Sequence, residues 1–223
     1  MASKTLPVIG IIGGTGKEGK GLAYRWAKFG YPVLIGSRLQ EKADAAAEEV
    51  NWMLGAAGGV KSGLNVDVAV NARVVVLTVP FAAHVDMCTL IKPLVQGKIV
   101  IDVTVPIVPP KVSTVQMPPE GSATQQAQLI FGENVQVVAA FQNISYEHLM
   151  GDEDVECDVL VCGGSKEARE EVIGMVQAAG LIGWNAGPVE NAVVVEGLTS
   201  VLIGLNKRYG VNSSGIRITG IAR

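Results

Sequence analysis

The chain has 223 residues, 48% hydrophobic and 17% charged, with a formal net charge of −3. That length can bury a substantial core in one or two domains, and the composition excludes a disordered tail. Lysines and arginines are scattered with no broad basic field, which argues against nucleic acid as a partner and points to local pockets as the binding sites.

The opening MASKTLPVIGIIGG has one lysine and a short apolar run that leads into glycines without a cleavage-type end, so it does not read as an export signal. A first strand is predicted in PVIGII (7–12). The following KEGKGLAYRWAKFG carries Leu22, Trp26 and Phe29 at helical spacing, and Gly30 suits a helix stop. Further β-branched runs predict strands in YPVLIG (31–36), RVVVLTV (73–79), KIVIDV (98–103) and VQVVAA (135–140). Strands apolar on both faces and separated by amphipathic helices imply a doubly wound, Rossmann-type α/β sheet covered on both sides.

The stretch 103–121 holds five of the ten prolines and cannot be a helix, so it is expected to run over the carboxyl edge of the sheet before a helix restarts at Ser122. The alternation lapses over 141–157. It resumes with DVLVCGG, SKEAREEVIGMVQAAG and LIGWNAG as strand, helix and strand, and ends in an apolar helix over about 189–207 with a loop tail. Residues 1–141 are therefore expected to form the dinucleotide-binding domain, and residues 142–223 a smaller C-terminal α/β domain. Glu196 keeps the last helix below the ~18 uninterrupted apolar residues of a membrane span, so no membrane partner is expected. Val193, Val194, Val195, Leu198, Val201, Leu202 and Leu205 cover more than one face of that helix, which predicts burial in a contact between copies of the chain, a homodimer or higher homo-oligomer. Cys88, Cys157 and Cys162 cannot all pair and lack zinc-type spacing. They read as buried thiols in a reducing, cytoplasmic compartment, and no metal site is expected.

Gly14, Gly16 and Gly19 form GxGxxG between the first strand and the first helix. In that setting the first glycine allows the turn, the second lets backbone approach a pyrophosphate, and the third lets helix and strand pack closely. The helix N-terminus adds unpaired N–H groups and a partial positive charge. About 20 residues on, where an acid would accept hydrogen bonds from a ribose 2′-OH, the chain reads GSRLQEK, with Ser37, Arg38 and Lys42. A guanidinium fork and an ammonium there suit a 2′-phosphate, so the expected cofactor is NADP. The competing reading makes Ser37 and Gln40 a capping box, with Arg38 and Lys42 on a solvated first turn.

Strand ends at Thr78–Phe81, Asp102–Thr104 and Phe141–Ile144 are further candidates, because ligands in open α/β sheets sit at the carboxyl ends of the strands. Asp102 reads equally well as a loop cap. His84, inside a predicted helix, reads as packed or solvated, and His84 and His148 are the only histidines. No nucleophile set, carboxylate pair or metal cluster is evident, and no side chain is assigned a catalytic acid or base role. Aligning two bound rings for hydride transfer needs neither.

With these residues in view, the chain resembles the reduced coenzyme F420:NADP oxidoreductases. The likeness runs through GGTGKEGKGLA (13–23), IGSRLQEKA (35–43), VLTVPF (76–81), PPEGSATQQAQ (118–128), VVAAFQNIS (137–145), CDVLVCGG (157–164) and AGPVENAVVVEGLT (186–199). The resemblance implies a phosphate loop at Thr15, Gly16, Lys17 and Glu18, and a 2′-phosphate clamp at Ser37, Arg38 and Lys42. It implies a ribose and nicotinamide lining at Val79 and Ala83, with Ile144 near the nicotinamide and Ser214 as a deazaflavin contact. It also implies hydride exchange between coenzyme F420 and NADP. An NADPH-dependent imine or carbonyl reductase, or a non-catalytic NADP sensor, would share the first 140 residues or so.

Overall fold

The computed structural model describes residues 5–221; residues 1–4 and 222–223, the outer ends of the two expected domains, lie outside the described residues. Eight strands form one sheet: β1 (Ile9–Ile12), β2 (Val33–Ser37), β3 (Lys61–Leu64), β4 (Val74–Leu77), β5 (Ile99–Asp102), β6 (Gln136–Ala139), β7 (Asp158–Gly163) and β8 (Ile182–Gly187), in the order β3-β2-β1-β4-β5-β6-β7-β8. Neighbours from β3 to β6 are parallel. β7 runs antiparallel to β6, and β8 is parallel to β7. The expected doubly wound α/β fold is present, and residues beyond 142 extend its sheet with two strands of reversed direction.

Alternation along the strands explains why they read as apolar on both faces. Ile9, Ile11, Val74, Val76 and Ile101 face one layer, formed by α1 (Lys17–Phe29), α2 (Gln40–Leu54) and α6 (Lys166–Ala178). Ile12, Val75, Leu77 and Val100 face the other, formed by α3 (Asn65–Asn71), α4 (His84–Ile91) and α5 (Ala123–Phe131). Trp26 of α1 is fully buried; its indole N–H donates to the Met175 carbonyl of α6 at 2.8 Å, and its ring meets Phe141 edge-on at 5.6 Å. Gly30 ends α1 in the left-handed region (φ 110°), with its N–H given to the carbonyls of Trp26 and Ala27.

Ser122 caps α5, its hydroxyl accepting from the Gln125 N–H at 3.0 Å, so the predicted restart lies where the sequence put it. The last helix, α7 (Ala192–Tyr209), docks through a polar contact inside an apolar face. Glu196, fully buried, accepts from the N–H groups of Ala123 (2.7 Å) and Thr124 (3.0 Å) and from the Thr124 hydroxyl (2.7 Å). The carboxylate thereby occupies the N-terminus of α5, where free N–H groups and the helix dipole favour negative charge. Burial, followed by the nearby Asp102, pushes its pKa up to about 7 against those three donors.

Candidate dinucleotide and hydride-transfer site

The glycine loop divides its work differently from the expectation. The left-handed turn belongs to Gly13 (φ 71°), one residue before the motif, and the Gly13 N–H donates to the Asn65 side-chain oxygen at 3.1 Å. Gly14 instead leaves room for the Ile11 carbonyl, which a Cβ would meet at 2.9 Å. Gly19 lies against the backbone of Gly14, and a Cβ there would stand 2.6 Å from the Gly14 Cα, so α1 can approach β1 only without a side chain. At Gly16 a Cβ would have nothing within 4 Å. This residue is the N-cap of α1 and, having no side chain, leaves the first N–H groups of the helix without a side-chain cap. An open cradle at a helix N-terminus fits a pyrophosphate.

Two clefts flank that cradle at the carboxyl edge of the sheet. The first, about 460 Å³, is lined by Gly13, Thr15, Ser37, Arg38, Leu39, Lys42, Asn65, Val79, Pro80, Ala83 and Met87. Six of the predicted cofactor residues, Thr15, Ser37, Arg38, Lys42, Val79 and Ala83, therefore share one cavity. The capping-box alternative fails here. The N-cap of α2 is Leu39, the Ser37 hydroxyl accepts from the Leu39 N–H at 3.3 Å, and the Gln40 amide reaches forward to Asp44. The Arg38 and Lys42 side chains are exposed and, among the described residues, have no hydrogen-bond or ion-pair partner. Two uncommitted cations beside a buried hydroxyl fit a 2′-phosphate.

The second cleft, about 320 Å³, shares Val79 and Pro80 with the first and adds Glu18, Thr78, Phe81, Val103, Thr104, Val105 and Ile107. Its walls are mostly apolar, and two of its lining residues carry a buried side-chain oxygen without a hydrogen-bond partner: Glu18 Oε1 and Thr104 Oγ1. Buried polar atoms are almost always satisfied, so two orphans in one cavity point to groups a bound molecule would supply. Ring-shaped cofactors with polar edges fit such a space.

Beneath this cleft lies a buried polar network. The Asp102 carboxylate accepts from His84 Nε2 at 2.8 Å and from the Thr104 N–H at 3.0 Å, and the Asp102 carbonyl accepts from the Gln142 amide at 2.6 Å. His84 Nδ1 lies 3.2 Å from Gln126 Oε1, and both His84 and Asp102 are fully buried. Burial alone would lower the imidazole pKa, but the Asp102 charge and hydrogen bond, with Cys88 behind them, hold it well above the usual histidine range. His84 is thus packed, one of the two readings its helical position offered. His148 Nε2 lies 3.1 Å from the Ser213 carbonyl.

The remaining predicted residues lie outside both clefts. Lys17 turns its ammonium to the Tyr146 hydroxyl at 3.2 Å and over that ring at 4.5 Å, leaving only its backbone at the cradle. Ile144 is buried in the core, in one apolar cluster with Leu22 and Phe141. Ser214 is tied to α7, its hydroxyl donating to the Leu202 carbonyl at 3.2 Å and its N–H to Asn206 Oδ1 at 3.0 Å. Sequence reasoning missed Gly13 and Asn65. No metal-binding group of three or more His, Cys, Asp or Glu occurs among the described residues.

Comparison with known proteins bears on the same reading. A family model described as NADP oxidoreductase coenzyme F420-dependent matches residues 8–106. The F420-dependent NADP reductase of Methanocaldococcus jannaschii is 37% identical over 222 residues, spanning 96% of this chain and 98% of that protein. That of Methanothermobacter thermautotrophicus is 38% identical over 220 residues, spanning 96% and 95%. A solved structure from Arthrobacter sp. fb24, described as a candidate F420 dependent NADP-reductase, has a TM-score of 0.80 at 24% identity, covering 98% of this chain and 100% of that one. At 37% and 38% identity over 96% of its length, the chain belongs to the F420-dependent NADP reductase family.

Proposed function

We propose that the protein transfers a hydride between NADP and coenzyme F420. The observation that carries this reading is the pair of adjoining clefts, sharing Val79 and Pro80, in a chain of this family. One cleft has a cationic clamp beside the phosphate cradle, and the other is apolar with unpartnered polar atoms. The full-length likeness to F420-dependent NADP reductases favours it over an imine or carbonyl reductase and over an NADP sensor.

Gly14, Thr15, Gly16, Lys17, Glu18 and Gly19 form the phosphate loop through their backbone, and Ser37, Arg38 and Lys42 take the 2′-phosphate. Val79 and Ala83 line the ribose and nicotinamide path. Ile144 supports that end from the core, while Ser214 and the segment 142–223 complete the deazaflavin side. The two cofactors supply the chemistry, a hydride passing between the nicotinamide C4 and the central carbon of the deazaflavin. The protein holds the rings together and excludes water, and alignment of this kind accounts for about 7 kcal/mol or more of barrier reduction. No side chain acts as an obligatory acid or base.

Deuterium placed on the transferable C4 position of NADPH is therefore expected in the reduced acceptor, with none lost to water, as read by mass spectrometry of the product. Label appearing in solvent would overturn direct transfer.

A homodimer through α7 and a cytoplasmic location belong to the same proposal. The three cysteines are buried and unpaired, in keeping with a reducing compartment. Val189–Tyr209 is long and apolar enough to cross a bilayer by length and composition, with 28% of it buried. Its Glu196, however, is seated on α5. Val194, Val201, Leu205 and Tyr209 are exposed along one stripe at spacings of about three to four residues and multiples of them, the pattern of a helix–helix seam. Sedimentation is expected to give a dimer at micromolar concentration, and the double substitution V201E/L205E a monomer. A wild-type monomer at every concentration would remove the dimer.

A further inference from the structure

We propose that Glu18, which lines the second cleft, is a specificity-determining residue for the redox state of the dinucleotide: its carboxyl group binds the oxidised nicotinamide better as a carboxylate and admits the reduced one equally well as an acid. This rests on the reading that the cleft takes the nicotinamide end of NADP. The residue is half-buried and lines the cleft with Thr78, Phe81, Val103 and Thr104, and its Oε1 is buried without a hydrogen-bond partner. A polar atom in that state waits for a group that a ligand brings.

The oxidised nicotinamide ring carries a positive charge and the reduced ring none. That difference falls on the segment of α1 directly after the phosphate cradle, where a dinucleotide crossing from the first cleft to the second must pass. Burial alone pushes the Glu18 carboxyl up to about 8, so both protonation states are accessible near neutrality. Among the described residues, no other ionisable side chain lines the cleft. From the surrounding elements, Lys17 on α1 is turned to Tyr146, Lys20 on α1 is paired with Glu49 of α2, and His84 of α4 is paired with Asp102 of β5 beneath the floor.

An opposite charge in contact with a carboxyl favours its ionised form by a factor of about ten to a thousand. By linkage, the carboxyl is acidified when the oxidised cofactor binds and stays near or above its free value when the reduced cofactor binds. The ratio of Kd for NADP⁺ to Kd for NADPH should therefore fall about tenfold or more as pH rises from about 6 to about 9. Titration of the 2′-phosphate near pH 6 is common to both forms and cancels in the ratio.

The test measures both dissociation constants across that range for the wild type, E18Q and E18L, using NADPH fluorescence and its competition by NADP⁺. The wild-type ratio is expected to fall with pH, and both variants are expected to give a flat profile. A flat wild-type profile, or the same slope in E18Q, would overturn the proposal. Calorimetry of the wild type in two buffers of different ionisation enthalpy supplies a second reading independent of variant folding. NADP⁺ should release more protons than NADPH at pH about 7.5, and equal counts would overturn the assignment. If Arg38→Ala separates NADP from NAD while the ratio stays flat, the role of Glu18 fails and the functional reading stands. If neither form of NADP binds, both fail.

Discussion

Replacing His84 with Ala is expected to destabilise the fold by about 3 to 5 kcal/mol, because it leaves the Asp102 carboxylate buried without its partner. Both residues are inaccessible, and the remaining donor to that carboxylate is the Thr104 N–H. A native domain is stable by only about 5 to 15 kcal/mol, so the denaturant midpoint should drop steeply. Asp102→Asn together with His84→Ala should cost less than the two single changes added, since the second change removes the charge that the first one strands. The sign of the pH dependence follows from the direction of the shift. The folded-state imidazole is held above its unfolded value of about 6.5, so its stabilising contribution is complete below that value and is lost as pH rises through the raised folded one. A loss under about 1 kcal/mol, or stability from this group growing with pH, would contradict the buried ion pair. Turnover per folded molecule should fall by well under the roughly hundredfold loss typical of a removed acid or base.

The parts of the fold legible in the sequence were those whose side chains carry a period. β1 and β4 are apolar at every position, β5 is apolar up to its closing Asp102, and α1 shows its Leu22 and Trp26 stripe, so the β1-α1-β2 unit and its glycine loop could be read directly. β3 could not, because it is an edge strand of sequence KSGL with partly exposed polar residues. α3 misleads further, since NVDVAVN alternates with the period of a strand yet forms a seven-residue helix, with Val68 and Ala69 packed under the sheet. Missing α3 also hid Asn65, whose side chain fixes the glycine turn from across the sheet. The reversal at β7 had no local signal: both strands of the pair are mostly apolar, and only their register, Val138 opposite Gly163 and Ala139 opposite Cys162, reveals the antiparallel pairing.

The site divides along the same line. Ser37, Arg38 and Lys42, which follow one another from the end of β2 into α2, could be singled out from the sequence, and they line one cleft. The Asp102–His84 contact and the orphaned Thr104 hydroxyl exist only once β5 and α4 are adjacent. Gly13 was hidden because the motif spacing directs attention to the glycine after it, while the backbone needs its left-handed residue one position earlier.

Arg38→Ala is expected to weaken NADP binding by one to two decades, about 1.5 to 3 kcal/mol for a charge-assisted contact, and to leave NAD binding nearly unchanged. The side chain is exposed and has no hydrogen-bond or ion-pair partner among the described residues, so its removal should cost little stability. Any change in affinity then reports the contact itself. Arg38→Lys should recover only part of the loss, because an ammonium offers a point charge in place of the planar fork that matches two phosphate oxygens. Removing Lys42 as well should erase the remaining preference, since Ser37 alone offers only a neutral hydroxyl that already accepts from the Leu39 N–H. The preference should also shrink as salt rises, because both cations are at the surface and within reach of screening ions. Titration of wild type, R38A, R38K and R38A/K42A with NADP and NAD at two salt concentrations measures all of this. Equal wild-type affinity for the two dinucleotides, or equal losses for both in R38A, would refute the 2′-phosphate clamp.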